Sequence, residues 1–333
     1  MAQLPATFTG PGLVDLQING CGGFDFNSDP AGWSAEQFGG VRGALAGRGI
    51  TAALPTLITD APDEMIARAK RYAQIVSTDA ELAAALPALH IEGPFISPVD
   101  GPRGAHPKCH CKLPAGLVDL IDRLRDAADG RVAIVTVAPE LPGAIDLIAR
   151  WSGEGLVMAI GHTQASKAAL AEAVAAGATL STHLGNGSHQ MLPRLDNYVQ
   201  TQLADDGLHA SFIADGHHMP FTTLKNFIRA KTPSRSILVS DAIAAAGMGP
   251  GEHVLGNLRV VVSPDGRVSH PGQANLAGAA LTLDQAVVNV ATHCDVSFAR
   301  AWAMASTIPA QLANLATPPT VTVSVSENGF AAE

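Results

Sequence analysis

The sequence predicts an α/β fold, a (β/α)8 barrel of the TIM type, for two reasons. Eight short apolar segments alternate with helical segments through residues 12–242. These apolar segments are nearly continuous in hydrophobicity, as expected of strands that are buried on both faces of a parallel sheet. Because the chain has 333 residues, 47% of them hydrophobic, it can form one large barrel or two ordinary domains. A doubly wound parallel sheet is therefore the alternative.

The predicted strands and the helices between them follow one another without a break. The strands are predicted at residues 12–19, 50–58, 88–95, 131–139, 156–162, 179–186, 209–216 and 236–242. The helices are predicted at 35–49, 63–76, 114–128, 142–155, 165–178, 197–205 and 221–231. Glycines precede several strands, for example Gly49 and Gly177, and this position is typical of a helix C-cap.

The pattern changes after the eighth strand. Residues 253–272 are typical of a β-hairpin with a Pro-Asp-Gly turn, and helices are predicted again at 281–294 and 298–316. Residues 320–333 alternate like one exposed strand that then frays. We therefore expect one barrel domain over residues 1–315, including a hairpin insert near 252–272, and a short C-terminal strand or tail over 316–333.

Composition and charge exclude several classes of partner. The net charge of −9 gives no basic footprint, so we expect neither nucleic acid nor an anionic membrane surface as a partner. The first residues lack the pattern of a signal peptide, and no apolar stretch approaches the length that spans a bilayer. A reduced, cytoplasmic protein is the expectation. Cys109, His110 and Cys111 form a tempting cluster, but no second half follows at zinc-finger spacing, which favours a structural or incidental role.

Polar groups follow the C-terminal ends of five predicted strands. They are Glu92, His162, His183, then Asp215 with His217 and His218, and finally Asp241. Because reactive groups of such barrels lie at this face, we expect these side chains to converge on one mouth. Any one of them could be structural, but a buried carboxylate such as Glu92 is costly unless it is paired or binds a metal. The set as a whole favours a metal site.

One carboxylate and two imidazoles are sufficient ligands for a catalytic zinc ion, with the fourth position left to water. Such an ion lowers the pKa of bound water from about 15.7 to about 7. Asp241 could take the proton of this water and pass it to a leaving group. Gln17 and Asn19 occupy alternate positions on the first strand, and amides bind transition metals poorly, so one metal ion is expected.

These motifs carry a resemblance to a known family. The stretches PGLVDLQINGCGGFDF, HIEGPFIS with GAHP, IGHTQAS, THLGN, IADGHH, LVSDAIAAAG and LAGAALTLDQAV follow one another from residue 11 to about residue 290. The chain resembles the N-acetylglucosamine-6-phosphate deacetylases, zinc-dependent members of the amidohydrolase superfamily. The resemblance implies metal ligands at Glu92, His162 and His183, with a catalytic acid/base at Asp241.

The same resemblance implies substrate contacts in several loops. They come from Ala105, His106, Asn186, Gly187, Asp215, Gly216, His217, Leu276, Ala277 and Gly278. His218 takes the place of the family's substrate-binding histidine, which with the metal would stabilise an oxyanion. Family members commonly form homodimers, in which a neighbouring chain contributes to the phosphate site.

Three departures from the family pattern are visible. The family builds a small β-sandwich from both chain ends, whereas the first predicted strand here begins within the first dozen residues, so we expect a reduced or absent sandwich. The segment NGS replaces the family's NAM-type segment, and the loop HQMLPRLDNY differs from the usual one. Arg194 falls where a phosphate-binding arginine is expected, but it can equally be a solvated loop residue. Arg103 and Lys108 are reserve candidates for the phosphate.

Three functions remain open from the sequence. The first is hydrolysis of the acetamide of N-acetylglucosamine 6-phosphate, which yields glucosamine 6-phosphate and acetate. The second is the same chemistry on another N-acyl amino sugar or an N-acyl amino acid. The third, a different class, is a metal-free barrel such as a sugar-phosphate isomerase or a non-catalytic binder. All of them take a small molecule as partner, and the first two require one divalent metal ion, for which Zn²⁺ is the expected identity.

Overall fold

The barrel is the dominant element of the computed structural model, which describes residues 4–255, 258–272 and 276–333. Its strands β1 to β8 are Leu13–Ile18, Ile50–Ile58, Leu89–Glu92, Val132–Val137, Val157–Ile160, Ala178–Ser181, His209–Ile213 and Ser236–Val239. They lie side by side in chain order, and every neighbouring pair is parallel. The predicted fold class is confirmed.

Backbone hydrogen bonds close the barrel between the ends of β8 and β1. The Asp241 N–H donates to the Gln17 carbonyl at 2.9 Å, and the Asn19 N–H donates to the Ala242 carbonyl at 2.8 Å. Closure places the C-terminal ends of all eight strands around one mouth. It also fixes Asp241 next to the two amides of the first strand.

The helices surround the barrel. In chain order, α1 to α11 are Ala35–Ala46, Pro62–Val76, Ala80–Ala85, Leu120–Ala127, Ala144–Gly153, Lys167–Ala175, Tyr198–Ala204, Phe221–Lys231, Leu283–His293, Phe298–Met304 and Thr307–Leu312. Short 3-10 turns occur at Pro30–Gly32, Lys108–His110, Pro114–Gly116 and Pro233–Arg235. Within the described residues, no helix has the length and apolar character needed to cross a membrane.

The caps of these helices follow the sequence signals. Ser34 and Gln37 form a reciprocal capping box at the start of α1, in which each side chain binds the other residue's backbone N–H. Gly49 and Gly177, predicted as caps, have φ values of 74° and 111°, a region that glycine enters without a steric penalty. Local sequence therefore ends each of these helices where the next strand must begin.

The two ends of the chain form a small antiparallel sheet beside the barrel. Thr7–Pro11 pairs with Thr320–Ser326, which pairs in turn with Gly329–Ala332. The expectation of one C-terminal strand that then frays is wrong. Gly329, at a φ of 105°, allows a tight turn, after which the Phe330 N–H donates to the Asp284 carboxylate at 2.8 Å and the Phe330 ring stacks on Trp302. These contacts hold the last residues against α9 and α10.

The expected hairpin insert has three strands. Gly251–Leu255, Leu258–Val262 and Val268–Ser269 form an antiparallel sheet, and the Pro-Asp-Gly turn joins the second strand to the third. Residues 256–257 of the predicted insert lie outside the described residues. Val260, Val262 and Val268 are buried in a small apolar cluster that also contains Ala245, which follows β8. The insert therefore packs against the segment after β8 through a small cluster apart from the main core.

Candidate active site

Glu92 ends β3 with its side chain inside the mouth and only 3% of its surface exposed. Its Oε1 accepts a hydrogen bond from Gln17 Nε2 at 3.0 Å. The next residue, Gly93, has a φ of 87°, and a Cβ at this position would lie 2.0 Å from Thr59 Oγ1. Glycine is therefore required here for the chain to turn away while the carboxylate stays in the mouth.

Two histidines meet this carboxylate. His183 Nε2 lies 2.9 Å and His162 Nε2 3.2 Å from Glu92 Oε1, and the two Nε2 atoms are 3.2 Å apart. Zinc–nitrogen and zinc–oxygen bonds of about 2.0–2.2 Å in a tetrahedron require ligand atoms about 3.3–3.6 Å apart. The three distances are close to such a triangle, so the predicted convergence of these residues is present.

The protonation pattern of this cluster also fits a cation. His162 Nδ1 lies 2.9 Å from the Pro102 carbonyl, which only accepts hydrogen bonds, so Nδ1 carries a proton. Nε2 is then the nitrogen of His162 that a metal ion would bind, and it faces the Glu92 carboxylate and the His183 ring. One carboxylate oxygen and two imidazole nitrogens held this close together suit a divalent metal ion.

The charges of the cluster are strongly coupled. Burial disfavours the charged form of Glu92, but the hydrogen bonds from His162 and His183 hold its pKa well below the usual range. Burial alone would lower the pKa of His183, but the hydrogen bond and the charge of Glu92 raise it above its usual value. Glu92 is therefore the anion around which the site is organised.

Asp241 follows β8 and is the second carboxylate of the site. Its Oδ1 accepts a hydrogen bond from Asn19 Nδ2 at 2.7 Å. Burial is the main reason that the pKa of Asp241 rises to about 6; His183 opposes the rise, and the negative charge of Glu92 adds to it. A carboxyl group that titrates near neutral pH is suited to accept and then return a proton.

The backbone at three of these positions is unusual. His162, His183 and Asp241 have φ values of 50°, 29° and 46°. Residues other than glycine rarely adopt this left-handed region, and its cost of about 1–3 kcal/mol is typically retained at functional sites. Each turn bends the chain sharply at a strand end and directs the side chain into the mouth.

The two amides of β1 have a role that the sequence did not reveal. They were expected only to be poor metal ligands, but each binds one carboxylate of the site, Gln17 to Glu92 and Asn19 to Asp241. Their spacing of two residues on a strand places both on the inner face. That spacing was the available signal, because inward-facing amides need hydrogen-bond partners.

A chain of hydrogen bonds crosses the barrel beneath the cluster. His90 Nδ1 donates to the Leu16 carbonyl at 3.0 Å, and its Nε2 lies 2.8 Å from Thr136 Oγ1, which lies 2.8 Å from Thr182 Oγ1. Burial is the main reason that the pKa of His90 falls to about 4, so this ring is neutral at neutral pH. Leu16, His90 and Thr182 are each followed, one or two positions further on, by a residue of the site: Gln17, Glu92 and His183. The chain of hydrogen bonds therefore fixes the distances between these three site residues.

The loop after β7 carries a second histidine assembly. Asp215 Oδ1 accepts the backbone N–H groups of His217 and His218 at 2.9 and 2.8 Å, and its Oδ2 lies 2.6 Å from His218 Nδ1. Burial opposes ionisation of Asp215, but the bond to His218 keeps its pKa below the usual value. His217 instead directs Nε2 to the Asp265 carbonyl of the insert at 3.0 Å. In this loop, Asp215 therefore orients His218, whereas His217 binds the insert.

His106 lies beside the candidate metal ligands Glu92 and His162, although the resemblance implied only a substrate contact. Its Nε2 is 3.3 Å from His162 Nε2 and 3.8 Å from Glu92 Oε2. Ligand atoms of Glu92, His106 and His162 all lie within 4.8 Å of one another. Burial is the main reason that the pKa of His106 falls to about 3, which keeps the imidazole neutral. Its neighbour Ala105 is exposed on the same loop.

The remaining predicted contacts lie at two other places around the mouth. Asn186 Nδ2 donates to the His183 carbonyl at 3.3 Å, and a Cβ on Gly187 would lie 2.7 Å from His162 Nδ1. Both residues therefore lie directly behind the histidines. The segment 276–278 lies between the insert and the residues after β8. The Ala277 N–H donates to the Val268 carbonyl of the insert at 3.1 Å, and a Cβ on Gly278, at a φ of 94°, would lie 2.4 Å from Ile243 Cγ2.

Arg194 stands apart from these groups. It is exposed, and within the described part of the chain its side chain makes no hydrogen bond or ion pair. The neighbouring Met191 and Leu195 are 89% and 81% exposed. Cys109 and Cys111 are free thiols, and His110 between them lies 3.5 Å from Asp60 rather than at the cluster.

Comparison with known proteins agrees with this geometry. The Amidohydrolase family model matches residues 9–318. The human N-acetylglucosamine-6-phosphate deacetylase is 35% identical over 92% of this chain and 74% of its own length. The N-acetylgalactosamine-6-phosphate deacetylase of Shewanella sp. (strain ANA-3) is 31% identical over 90% and 73%.

Solved structures agree as well. A mutant of the N-acetyl-D-glucosamine-6-phosphate deacetylase of Mycobacterium smegmatis, in complex with N-acetyl-D-glucosamine-6-phosphate, superposes with a TM-score of 0.84 at 27% identity. The match covers 98% of this chain and 85% of that one. The chain therefore belongs to the amidohydrolase family, as an enzyme of the metal-dependent type that is similar to N-acetylglucosamine-6-phosphate deacetylases.

Proposed function

We propose that the enzyme hydrolyses the N-acetyl group of N-acetylglucosamine 6-phosphate to give glucosamine 6-phosphate and acetate. The observation that carries this proposal is a half-buried carboxyl group, Asp241, which is held by Asn19 and whose pKa is raised to about 6 beside the Glu92 cluster. Amide hydrolysis needs a group that takes a proton from water and returns it to nitrogen. The names of the similar enzymes supply the substrate class.

Glu92, His162 and His183 would hold one divalent ion, for which we propose Zn²⁺. When bound, the ion would polarise the acetyl carbonyl and acidify the attacking water. Gln17 supports this arrangement, because its bond to Glu92 Oε1 orients the carboxylate. Pro102 does the same for His162 by fixing the proton on Nδ1.

Asp241 would act first as a base and then as an acid. It would accept a proton from water as the water oxygen bonds to the acetyl carbon. It would then donate this proton to the amide nitrogen as the carbon–nitrogen bond breaks, so that the amine leaves in neutral form. Asn19 holds one carboxylate oxygen throughout, which leaves the other oxygen for the proton.

His218 would stabilise the negative charge that develops on the acetyl oxygen. Its Nδ1 lies 2.6 Å from Asp215 Oδ2, which holds the ring in one orientation and leaves Nε2 as the nitrogen that would donate to the acetyl oxygen. A fixed donor of this kind lowers the barrier because it needs no reorganisation during the reaction. Asp215 would act through His218 by positioning it.

Substrate contacts would come from the loops around the mouth. Ala105, Asn186, Gly187 and the segment 276–278 would contact the sugar and its acetyl group, and Arg194 would bind the phosphate. The catalytic unit would be the barrel of residues 1–315, with 316–333 as its appendage. A cytoplasmic location and a homodimer stay predictions.

A second candidate is the 6-phosphate of another N-acetylhexosamine. It is favoured by the similar Shewanella enzyme, which is named for N-acetylgalactosamine 6-phosphate, and by the unusual loop around Arg194. The sugar epimer is set by a few hydroxyl contacts, which can change while the hydrolytic groups stay the same.

The test is acetate release across N-acetylglucosamine, N-acetylgalactosamine and their 6-phosphates, with metal content measured on the same samples. We expect the highest kcat/KM on N-acetylglucosamine 6-phosphate. Preference for the galactosamine epimer would support the second candidate. Absence of acetate release from all four compounds by metal-replete protein would refute both.

A further inference from the structure

The loop after β3 places a third imidazole in the metal-ligand cluster. This loop, residues 93–112, is tied at its ends, where the Ser97 N–H donates to the His162 carbonyl at 3.0 Å and the Lys112 N–H donates to the Pro94 carbonyl at 2.8 Å. Between these ties it contacts both ring nitrogens of His162, Nδ1 through the Pro102 carbonyl and Nε2 through His106.

The close approach of this loop is built into its sequence. Gly104 has a φ of 59°, and a Cβ at this position would lie 3.2 Å from His162 Cε1. A larger residue would push the loop away from the ring. The Arg103 guanidinium donates to the His106 carbonyl and also pairs with Asp100, so the turn that presents His106 is itself held.

Among the described residues, the His106 ring has one hydrogen-bond contact, with His162. Its Nδ1 is buried without a hydrogen-bond partner, and its Nε2 faces His162 Nε2 at 3.3 Å. That separation equals the edge of a tetrahedron with metal–nitrogen bonds of about 2.0–2.1 Å. Because His162 carries a proton on Nδ1, its Nε2 can accept the His106 Nε2–H, or the two Nε2 atoms can bind one cation when His106 carries its proton on Nδ1.

With the loop in this position the cluster is closed. Glu92, His106, His162 and His183 are each at most 6% exposed. A catalytic metal needs a position for water or substrate, whereas four protein ligands fill a tetrahedral shell. We propose that His106 is a fourth, exchangeable protein ligand, which completes the metal shell in the resting enzyme and leaves it when substrate enters.

This inference rests on the proposed metal site at Glu92, His162 and His183. A measurement of metal binding distinguishes failure of the inference from failure of the metal site itself. The probe is Co²⁺, added to metal-free protein, with its visible absorption spectrum recorded and its dissociation constant measured by chelator competition. Four protein ligands predict an intense tetrahedral spectrum in the wild-type protein.

His106→Ala should weaken Co²⁺ binding by at least about 10-fold and should change the absorption spectrum. Loss of a residue that only supports a metal ligand already costs about 10-fold in affinity, so loss of a direct ligand should cost at least as much. His106→Gln should do the same, because amides bind transition metals poorly; it keeps the volume of the side chain if the alanine variant does not fold. The matched control is His110→Ala, on the same loop but 3.5 Å from Asp60, which should leave affinity and spectrum unchanged.

Two results would overturn the inference, and they have different consequences for the metal site. If His162→Ala abolishes Co²⁺ binding while both His106 variants keep wild-type affinity and spectrum, the metal site stands and His106 is a substrate contact alone. If the wild-type protein binds no Co²⁺, the metal site itself is absent and the inference fails with it.

Discussion

The strand ends of the site and the loop around Arg194 are built in opposite ways. Glu92 and His162 are buried, Asp241 is half-buried, and each has partners that fix its orientation. Arg194 is exposed and, in the described structure, its side chain has no hydrogen bond or ion pair. Buried, over-determined groups perform chemistry reproducibly, whereas exposed loops can change without loss of the fold. We infer that hydrolysis is fixed by the strands and substrate choice by the loops.

The largest effect is expected from Glu92→Gln. The variant keeps the shape of the side chain but removes the anion that binds His162 and His183, and an amide is a poor ligand. Metal content should fall below detection, and acetate release should be lost with it. Elemental analysis after dialysis checks this. A variant that retains one metal ion per chain would remove Glu92 from the ligand set.

Asp241→Asn should separate metal binding from catalysis. The amide can keep the contact with Asn19 but cannot transfer a proton, so kcat should fall by about 10²–10⁴-fold, the usual contribution of a general acid–base group. Metal content should remain at the wild-type level. Near-normal acetate release by this variant would show that another group transfers the proton.

The pH dependence should report the same carboxyl group. Because the base must be ionised and burial raises the pKa of Asp241 to about 6, kcat/KM should be full above that pH and fall as pH decreases through it. A bound cation favours the ionised form, so the midpoint should lie at or below about 6 in the metal-loaded enzyme. A pH–rate profile from pH 4 to 9 measures it. A flat profile would contradict the role of Asp241 as base.

The smallest effect is expected in the loop. Arg194→Ala should raise KM for the 6-phosphate by about 10-fold, because a charge-assisted hydrogen bond contributes about 1.5–3 kcal/mol. It should leave turnover of the unphosphorylated sugar and the metal content unchanged. Arg300→Ala, at another exposed arginine in α10, is the matched control. Equal losses on both substrates, or no loss on either, would remove Arg194 from the phosphate site.

The sequence was informative where position along a strand decides position in space. Glu92, His162 and His183 follow buried strands, and parallel strands bring their C-terminal ends to one face, so their convergence could be predicted. The tail was predicted wrongly because its second strand depends on contacts of Phe330 with Asp284 and Trp302, which are distant in sequence.

His106 could not be placed from sequence for a related reason. It lies in a long loop whose path is set by contacts with His162 and not by any local period. The same holds for His217, which looked equivalent to His218 but turns to the insert. Loop side chains depend on tertiary partners, and these partners are not visible in the pattern of one chain.

The most direct test is acetate release from N-acetylglucosamine 6-phosphate by metal-stripped protein during titration with Zn²⁺. The site has one buried set of candidate ligands, and the amides of Gln17 and Asn19 bind metal ions poorly. We therefore predict that activity rises from zero and saturates at one equivalent of Zn²⁺ per chain. Full activity in the stripped protein, or saturation only at two equivalents, would contradict the account.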